Sequence, residues 1–177
     1  MTRIYIEKIT DLGFAQVGKN QSAAARVLLR QALSEDFGFC GELEFTHGAN
    51  GKPYLSAVGS PWFNLSHSGE LVACAVSDEG ELGLDIQRVS PARLNVAARV
   101  FTAEQCRELN ALQGSARDAR FCELWVLREA AIKARGGSVL EREAVATDAA
   151  DLVDAPEGYR SAVCLNPSRR AHTCGGA

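Results

Sequence analysis

The stretch Glu81-Leu82-Gly83-Leu84-Asp85-Ile86-Gln87-Arg88-Val89 decides how this chain is read. It alternates like a strand, with Leu82, Leu84 and Ile86 on one face and Gly83, Asp85 and Gln87 on the other. A carboxylate between two apolar neighbours is either turned to water or held for a ligand. Gly83 beside it lets a ligand come close to the backbone.

Upstream, Leu71–Ser77 reads as a second strand, and the turn residues Ser77-Asp78-Glu79-Gly80 suggest that the two strands form a hairpin. Before it, Trp62-Phe63-Asn64-Leu65 is a short apolar segment that runs into a loop at Ser66-His67-Ser68-Gly69. The alternation of Ile4 and Ile6 marks a strand near the start of the chain. Residues 21–38, rich in Ala, Leu and Arg, form a helix with Ser22 as N-cap and Gly38 as stop. Residues 41–56 alternate and break at the turn Asn50-Gly51-Lys52-Pro53.

Downstream, a helix is expected from Pro91, and Thr102 with Gln105 has capping-box spacing. A long helix over residues 115–137 ends at Gly136-Gly137. Weaker strands are expected at 144–147 and 159–165, and residues 166–177 read as a frayed tail. The fold class is α+β, with two similar halves, each a long helix on a small antiparallel sheet. The halves are placed at 1–88 and 89–177.

The bulk composition narrows the function. Of 177 residues, 46% are apolar and 23% charged, ordinary values for a soluble globular domain. A net charge of −3 does not favour nucleic acid as partner. No apolar run is long enough to cross a membrane, and the N-terminus has a strand pattern rather than a signal peptide's apolar block. A cytoplasmic chain is expected. Cys40, Cys74, Cys106, Cys122, Cys164 and Cys174 form no C-x-x-C pair and read as reduced core thiols.

On the long helix, Trp125, Glu129 and Lys133 follow at i, i+4 and i+8 and share a face, with Arg128 next to it. A surface Glu–Lys pair would be the ordinary reading. Trp125 argues that the face is partly buried, which makes it a candidate ion or phosphate site. Lys52 on its turn can reach a phosphate as a point charge. Ser66 and His67 are neighbours, which is no sign of a triad, because triad partners meet in space.

Taken in order, these fragments resemble the 4′-phosphopantetheinyl transferase family in its larger, pseudo-dimeric form. Gly83-Leu84-Asp85 is similar to the family's Gly-x-Asp strand. Trp125-Val126-Leu127-Arg128-Glu129-Ala130-Ala131-Ile132-Lys133 resembles its Trp-x-x-Lys-Glu-Ala-x-x-Lys helix, at the expected separation. Gly51-Lys52-Pro53, Asn64-Leu65-Ser66-His67-Ser68, Phe101-Thr102-Ala103-Glu104-Gln105 and the late strand around Tyr159 resemble further elements. The likeness covers roughly residues 20–165.

The resemblance implies transfer of phosphopantetheine from coenzyme A to a serine of an acyl or peptidyl carrier protein, with Mg²⁺. It implies Asp85, Glu129 and Lys133 as catalytic residues and Asp85, Glu129 and Gln87 around the metal. Lys52, Ser66, His67, Arg26 and Arg128 would contact coenzyme A, and the chain would act as a monomer. Two positions depart from the pattern. Arg128 stands for the usual Lys, and Gln87 stands where many members carry a third acid. A non-catalytic homologue that binds coenzyme A or a carrier is the alternative, but such a homologue should have lost one of Asp85, Glu129 and Lys133. The small trimeric synthase of the same superfamily is argued against by length. A hydrolase built on Ser66 and His67 would need a buried acid and an oxyanion hole.

Overall fold

The computed structural model describes residues 1–15, 18–48, 50–137 and 145–166. In chain order its elements are β1 (Thr2–Lys8), α1 (Gln21–Phe37), β2 (Phe45–His47), β3 (Pro53–Leu55), β4 (Trp62–Ser68), β5 (Leu71–Ser77) and β6 (Glu81–Arg88). They continue with α2 (Leu94–Val100), α3 (Ala103–Ala111), α4 (Gly114–Ala134), β7 (Ala150–Val153) and β8 (Tyr159–Asn166). The protein is mixed α/β, with small antiparallel sheets and helices packed on them.

β5 is the middle strand of the sheet β1-β5-β4 and is buried along its whole length. Both of its edges are taken, by Ile4↔Ala75 on one side and Asn64↔Ala75 on the other. β6 therefore cannot pair with it, and the expected hairpin of residues 71–77 and 81–89 does not form. The turn at Ser68–Leu71 makes the hairpin instead, between β4 and β5. β6 pairs with β8, Asp85 opposite Ala162, in a second sheet β6-β8-β7. Hydrogen bonding thus groups β6 with the C-terminal elements, although the expected division fell after it. β2 and β3 form a separate two-stranded ribbon.

Each three-stranded sheet has a helix on its outer face. The stripe Ala24, Ala25, Leu28, Leu29, Ala32 and Leu33 of α1 packs on Phe63, Val72, Cys74 and Val76. The stripe Val126, Ala130, Ala131 and Ala134 of α4 packs on Ala162 and Cys164. Between the sheets, Leu71, Ala73 and Ala75 meet Leu82, Leu84 and Ile86. Small alanines on both helices bring their backbones close to the strands. The closest approach is at Gly83, where a Cβ would lie 2.0 Å from the Ala130 carbonyl oxygen and 2.3 Å from the Ala134 nitrogen. Gly83 makes room for the helix, not for a ligand as expected.

α1 ends as foreseen at Gly38, whose left-handed backbone (φ 63°) lets its N–H reach the Leu33 carbonyl. Its N-cap is Asn20 rather than Ser22. The helix expected at Pro91 begins at Leu94, and Thr102 and Gln105 form the expected capping box. Residues 145–147 are not a strand, and residue 144 lies outside the described residues. The missed strand is β7. Asn166 closes β8, and the rest of the expected tail, with Cys174, lies outside the described residues. Cys74, Cys122 and Cys164 are buried and free, Cys106 is half-buried, and Cys40 is the exposed exception. Among the described residues no helix is long and apolar enough to cross a membrane.

Candidate active site

The approach of α4 at Gly83 sets Glu129 and Lys133 against the next residue on the same strand face, Asp85. The Lys133 ammonium donates to Asp85 Oδ1 at 2.6 Å, to the Leu84 carbonyl at 3.1 Å and to Ser66 Oγ at 3.3 Å. Ser66 Oγ donates to Asp85 Oδ1 at 2.8 Å and accepts the Ile86 N–H at 3.2 Å. The backbone of Asp85 is held as well, its carbonyl accepting from Ser161 Oγ at 2.8 Å. Asp85 Oδ2 is buried and has no hydrogen-bond partner among the described residues.

Glu129 is buried next to it. Burial first, and then the negative charge of Asp85, push its carboxyl above the usual range. Lys133 and Arg128 oppose that shift, and Arg128 Nη1 donates to Glu129 Oε1 at 3.0 Å. Arg128 is itself buried. Two buried carboxylates side by side, the Glu129 carboxyl raised by burial and by Asp85 and the Asp85 carboxylate with a bare oxygen, form a pocket of negative charge that a hard cation would relieve. Among the described residues no three His, Cys, Asp or Glu side chains gather for a metal, so the carboxylates are a pair and not a trio. Gln87 is half-buried on the same strand face, and its carbonyl accepts from Cys122 Sγ at 3.5 Å.

Ser66 and His67 lie on β4, not in the expected loop. The polar run is compatible with a strand because its alternate side chains serve the neighbouring sheet. Asn64 Oδ1, Ser66 Oγ and Ser68 Oγ accept the N–H groups of Leu84, Ile86 and Arg88 at 2.8, 3.2 and 2.9 Å. This ladder joins β4 to β6 and sets the register of Asp85. Sequence reasoning missed Asn64 and Ser68, although their period of two with Ser66 was visible. Alternation turns His67 to the other face of β4. Burial and the charge of Lys133 lower its pKa, which favours the neutral ring.

Three other expected residues do not bond to the side chains of Asp85, Glu129 or Lys133 in the contacts described. Lys52 is drawn inward, bonded to Glu81 Oε1, the Leu82 carbonyl and the Lys133 carbonyl at 2.9, 2.8 and 2.6 Å. Glu81, wholly buried, was not singled out by its sequence context. Arg26 lies exposed on α1, over the ring of Phe45 at 5.8 Å. Trp125 stacks on Phe121 and lies under Arg93 at 5.3 Å, so it shapes the helix face rather than joining the charged group.

Known proteins are similar to this chain in sequence. The 4′-phosphopantetheinyl transferase AcpT of Salmonella typhimurium is 41% identical over 117 residues, which are 65% of this chain and 58% of that protein. AcpT of Escherichia coli is 35% identical over 153 residues, 78% of this chain and 75% of its own. The 4′-phosphopantetheinyl transferase Sfp of Bacillus subtilis is 32% identical over 111 residues, 62% of this chain and 49% of its own. The chain spans about half to three quarters of the length of these relatives. The model of the 4′-phosphopantetheinyl transferase superfamily matches residues 81–175. That match begins on the strand of Asp85 and runs through the helix of Glu129 and Lys133, and the chain belongs to this superfamily.

Proposed function

We propose that the chain is a Mg²⁺-dependent 4′-phosphopantetheinyl transferase that moves the arm of coenzyme A to a serine of an acyl or peptidyl carrier protein. The observation that carries this reading is the bare, buried Asp85 Oδ2, set beside Glu129 and Lys133. The names of the relatives, all 4′-phosphopantetheinyl transferases, support the same reaction class.

The donor set fits the metal. Mg²⁺ takes oxygen ligands and is commonly held by one or two carboxylates with phosphate oxygens and water. Asp85 and Glu129 would hold it, with the amide oxygen of Gln87 as a weaker third donor. When bound, it would neutralise charge on the pyrophosphate of coenzyme A.

The protein's own groups do the rest. A bond forms between the carrier serine oxygen and the β-phosphorus, and the bond from that phosphorus to the leaving adenosine 3′,5′-bisphosphate breaks. Glu129 accepts the serine proton. Lys133 stabilises the leaving phosphate and can protonate it. Arg128 holds Glu129, and Ser66 orients Asp85 and Lys133 rather than touching phosphate. His67 and Arg26 are assigned to the phosphates of coenzyme A.

In this reading the chain is of the larger, two-halved type, cytoplasmic and monomeric. One half is α1 on β1-β5-β4 and the other is α4 on β6-β8-β7, divided at Asp78–Gly80 instead of after residue 88. The test is incubation with coenzyme A and a panel of apo carrier proteins, followed by mass spectrometry. One carrier is expected to gain a phosphopantetheine arm with Mg²⁺ and none when a chelator is present. If no carrier gains it, the reading fails.

A further inference from the structure

The Lys52 ammonium has acceptors from two elements that also build the active site. Glu81 Oε1 and the Leu82 carbonyl lie at the head of β6, the strand of Asp85. The third acceptor is the carbonyl of Lys133 itself, at 2.6 Å in the last turn of α4. The ribbon that carries Lys52 adds two more contacts. Tyr54 donates its hydroxyl to Glu81 Oε1 at 2.7 Å, and Asn50 Nδ2 donates to the Gly136 carbonyl at 2.8 Å.

The arrangement suits a helix end. The last carbonyls of a helix lack partners within it and carry the negative end of its dipole, so an ammonium is matched there. A buried ammonium needs a countercharge and filled hydrogen bonds. Glu81 supplies the charge, and the two carbonyls accept two further hydrogen bonds. On the other flank the same turn rests on Gly83, where even a methyl group would collide with Ala130 and Ala134. The turn that bears Lys133 is held from both sides.

We propose that Lys52, acting with Glu81, is a positioning residue for Lys133 and not a ligand of coenzyme A. It fixes the backbone from which the flexible Lys133 side chain reaches Asp85. This rests on the transferase reading above. A small displacement of a catalytic group costs rate without necessarily costing substrate affinity.

The test is the double variant Lys52→Met/Glu81→Gln. It removes both charges of the pair together, and it keeps an acceptor for Tyr54. Three quantities are read: kcat, KM for coenzyme A, and hydrogen exchange at the amides of Gly136 and Gly137. Those amides bond to the carbonyls of Lys133 and Ile132 at 3.1 and 2.9 Å.

The expected result is a kcat lowered by about ten- to a hundredfold. KM for coenzyme A stays within about twofold, and the two amides exchange faster. A raised KM at unchanged kcat, or unchanged exchange, overturns the proposal. If the double variant does not fold, Lys52→Arg takes its place. A planar fork does not fit three acceptors that converge on one nitrogen, so the same pattern is expected, and unchanged kcat and exchange overturn the proposal. If the wild-type chain transfers nothing to any carrier, the transferase reading falls alone. Exchange at Gly136 and Gly137 then decides the clamp.

Discussion

Two lysine–carboxylate pairs lie along one face of β6, four residues apart, and they are built differently. In the pair Lys52–Glu81, at 2.9 Å, the side chains are 8% and 0% exposed. Glu81 Oε1 also takes the Tyr54 hydroxyl, and Lys52 also binds two carbonyls. In the pair Lys133–Asp85, at 2.6 Å, the lysine is 23% exposed, one carboxylate oxygen is bare, and a second carboxylate presses against the first. Proximity of opposite charges is common to both, so it does not separate them. What separates them is the hydrogen-bonding capacity left over. A buried ion pair is weak evidence for anything by itself. One with a bare buried acceptor and a neighbouring like charge points to a ligand.

The contrast can be broken most severely at the open pair. Asp85→Ala, or Glu129→Ala, is expected to lower Mg²⁺-dependent transfer by about a thousandfold or more, with circular dichroism showing a folded protein. Full transfer in either variant would remove the metal assignment. The sealed pair should respond in stability. Lys52→Met alone removes the ammonium 2.9 Å from the buried Glu81 carboxylate and is expected to cost about 3–5 kcal/mol in denaturant unfolding. Most of that loss should return when Glu81→Gln is added, because the carboxylate that faced Lys52 is then neutral. If the double variant is no more stable than the single one, the pair is not the source of the loss.

Ser66→Ala sharpens the comparison at the ladder between the sheets. It leaves the Ile86 N–H without its acceptor and frees Asp85 Oδ1 from one of two donors. A loss of about 1–3 kcal/mol in unfolding is expected, together with a lower kcat and little change in KM for coenzyme A. A large rise in KM instead would return Ser66 to the role of phosphate contact. The smallest effect is expected at Gln87→Glu. Transfer persists, and a Mg²⁺ titration of the rate shifts to lower concentration because a carboxylate binds the ion better than an amide. An unchanged titration places residue 87 outside the coordination shell.

Periodicity alone left the open pair ambiguous between a solvent carboxylate, a surface Glu–Lys pair and a site, and it was the resemblance to the transferase motifs that singled it out. Asp85 shares a strand face with Gly83, and Glu129 and Lys133 share a helix face, whatever the tertiary arrangement. The two long helices and most strands follow from the same periodicities. What periodicity does not tell is which strand pairs with which. Leu71–Ser77 and Glu81–Arg88 look like a hairpin, yet the first has both edges filled from elsewhere, by β1 and β4. The Ser66-His67-Ser68 run looks like a loop because its hydroxyls are polar, while in the fold they substitute for backbone acceptors. Lys52 follows a turn signature and reads as exposed. Its burial depends on Glu81 and the end of α4, both distant in sequence. Gly83 reads as room for a ligand, and only the path of α4 shows what fills it.

The central claim is that one pair is open to substrate and the other is sealed. Heteronuclear NMR of the lysine ammonium groups tests it most directly, during titration with coenzyme A and Mg²⁺. The Lys133 resonance is expected to shift as ligands reach Asp85 and Glu129, while the Lys52 resonance, enclosed by Glu81 and two carbonyls, stays in place. A Lys52 resonance that moves with coenzyme A while Lys133 stays still would contradict the account.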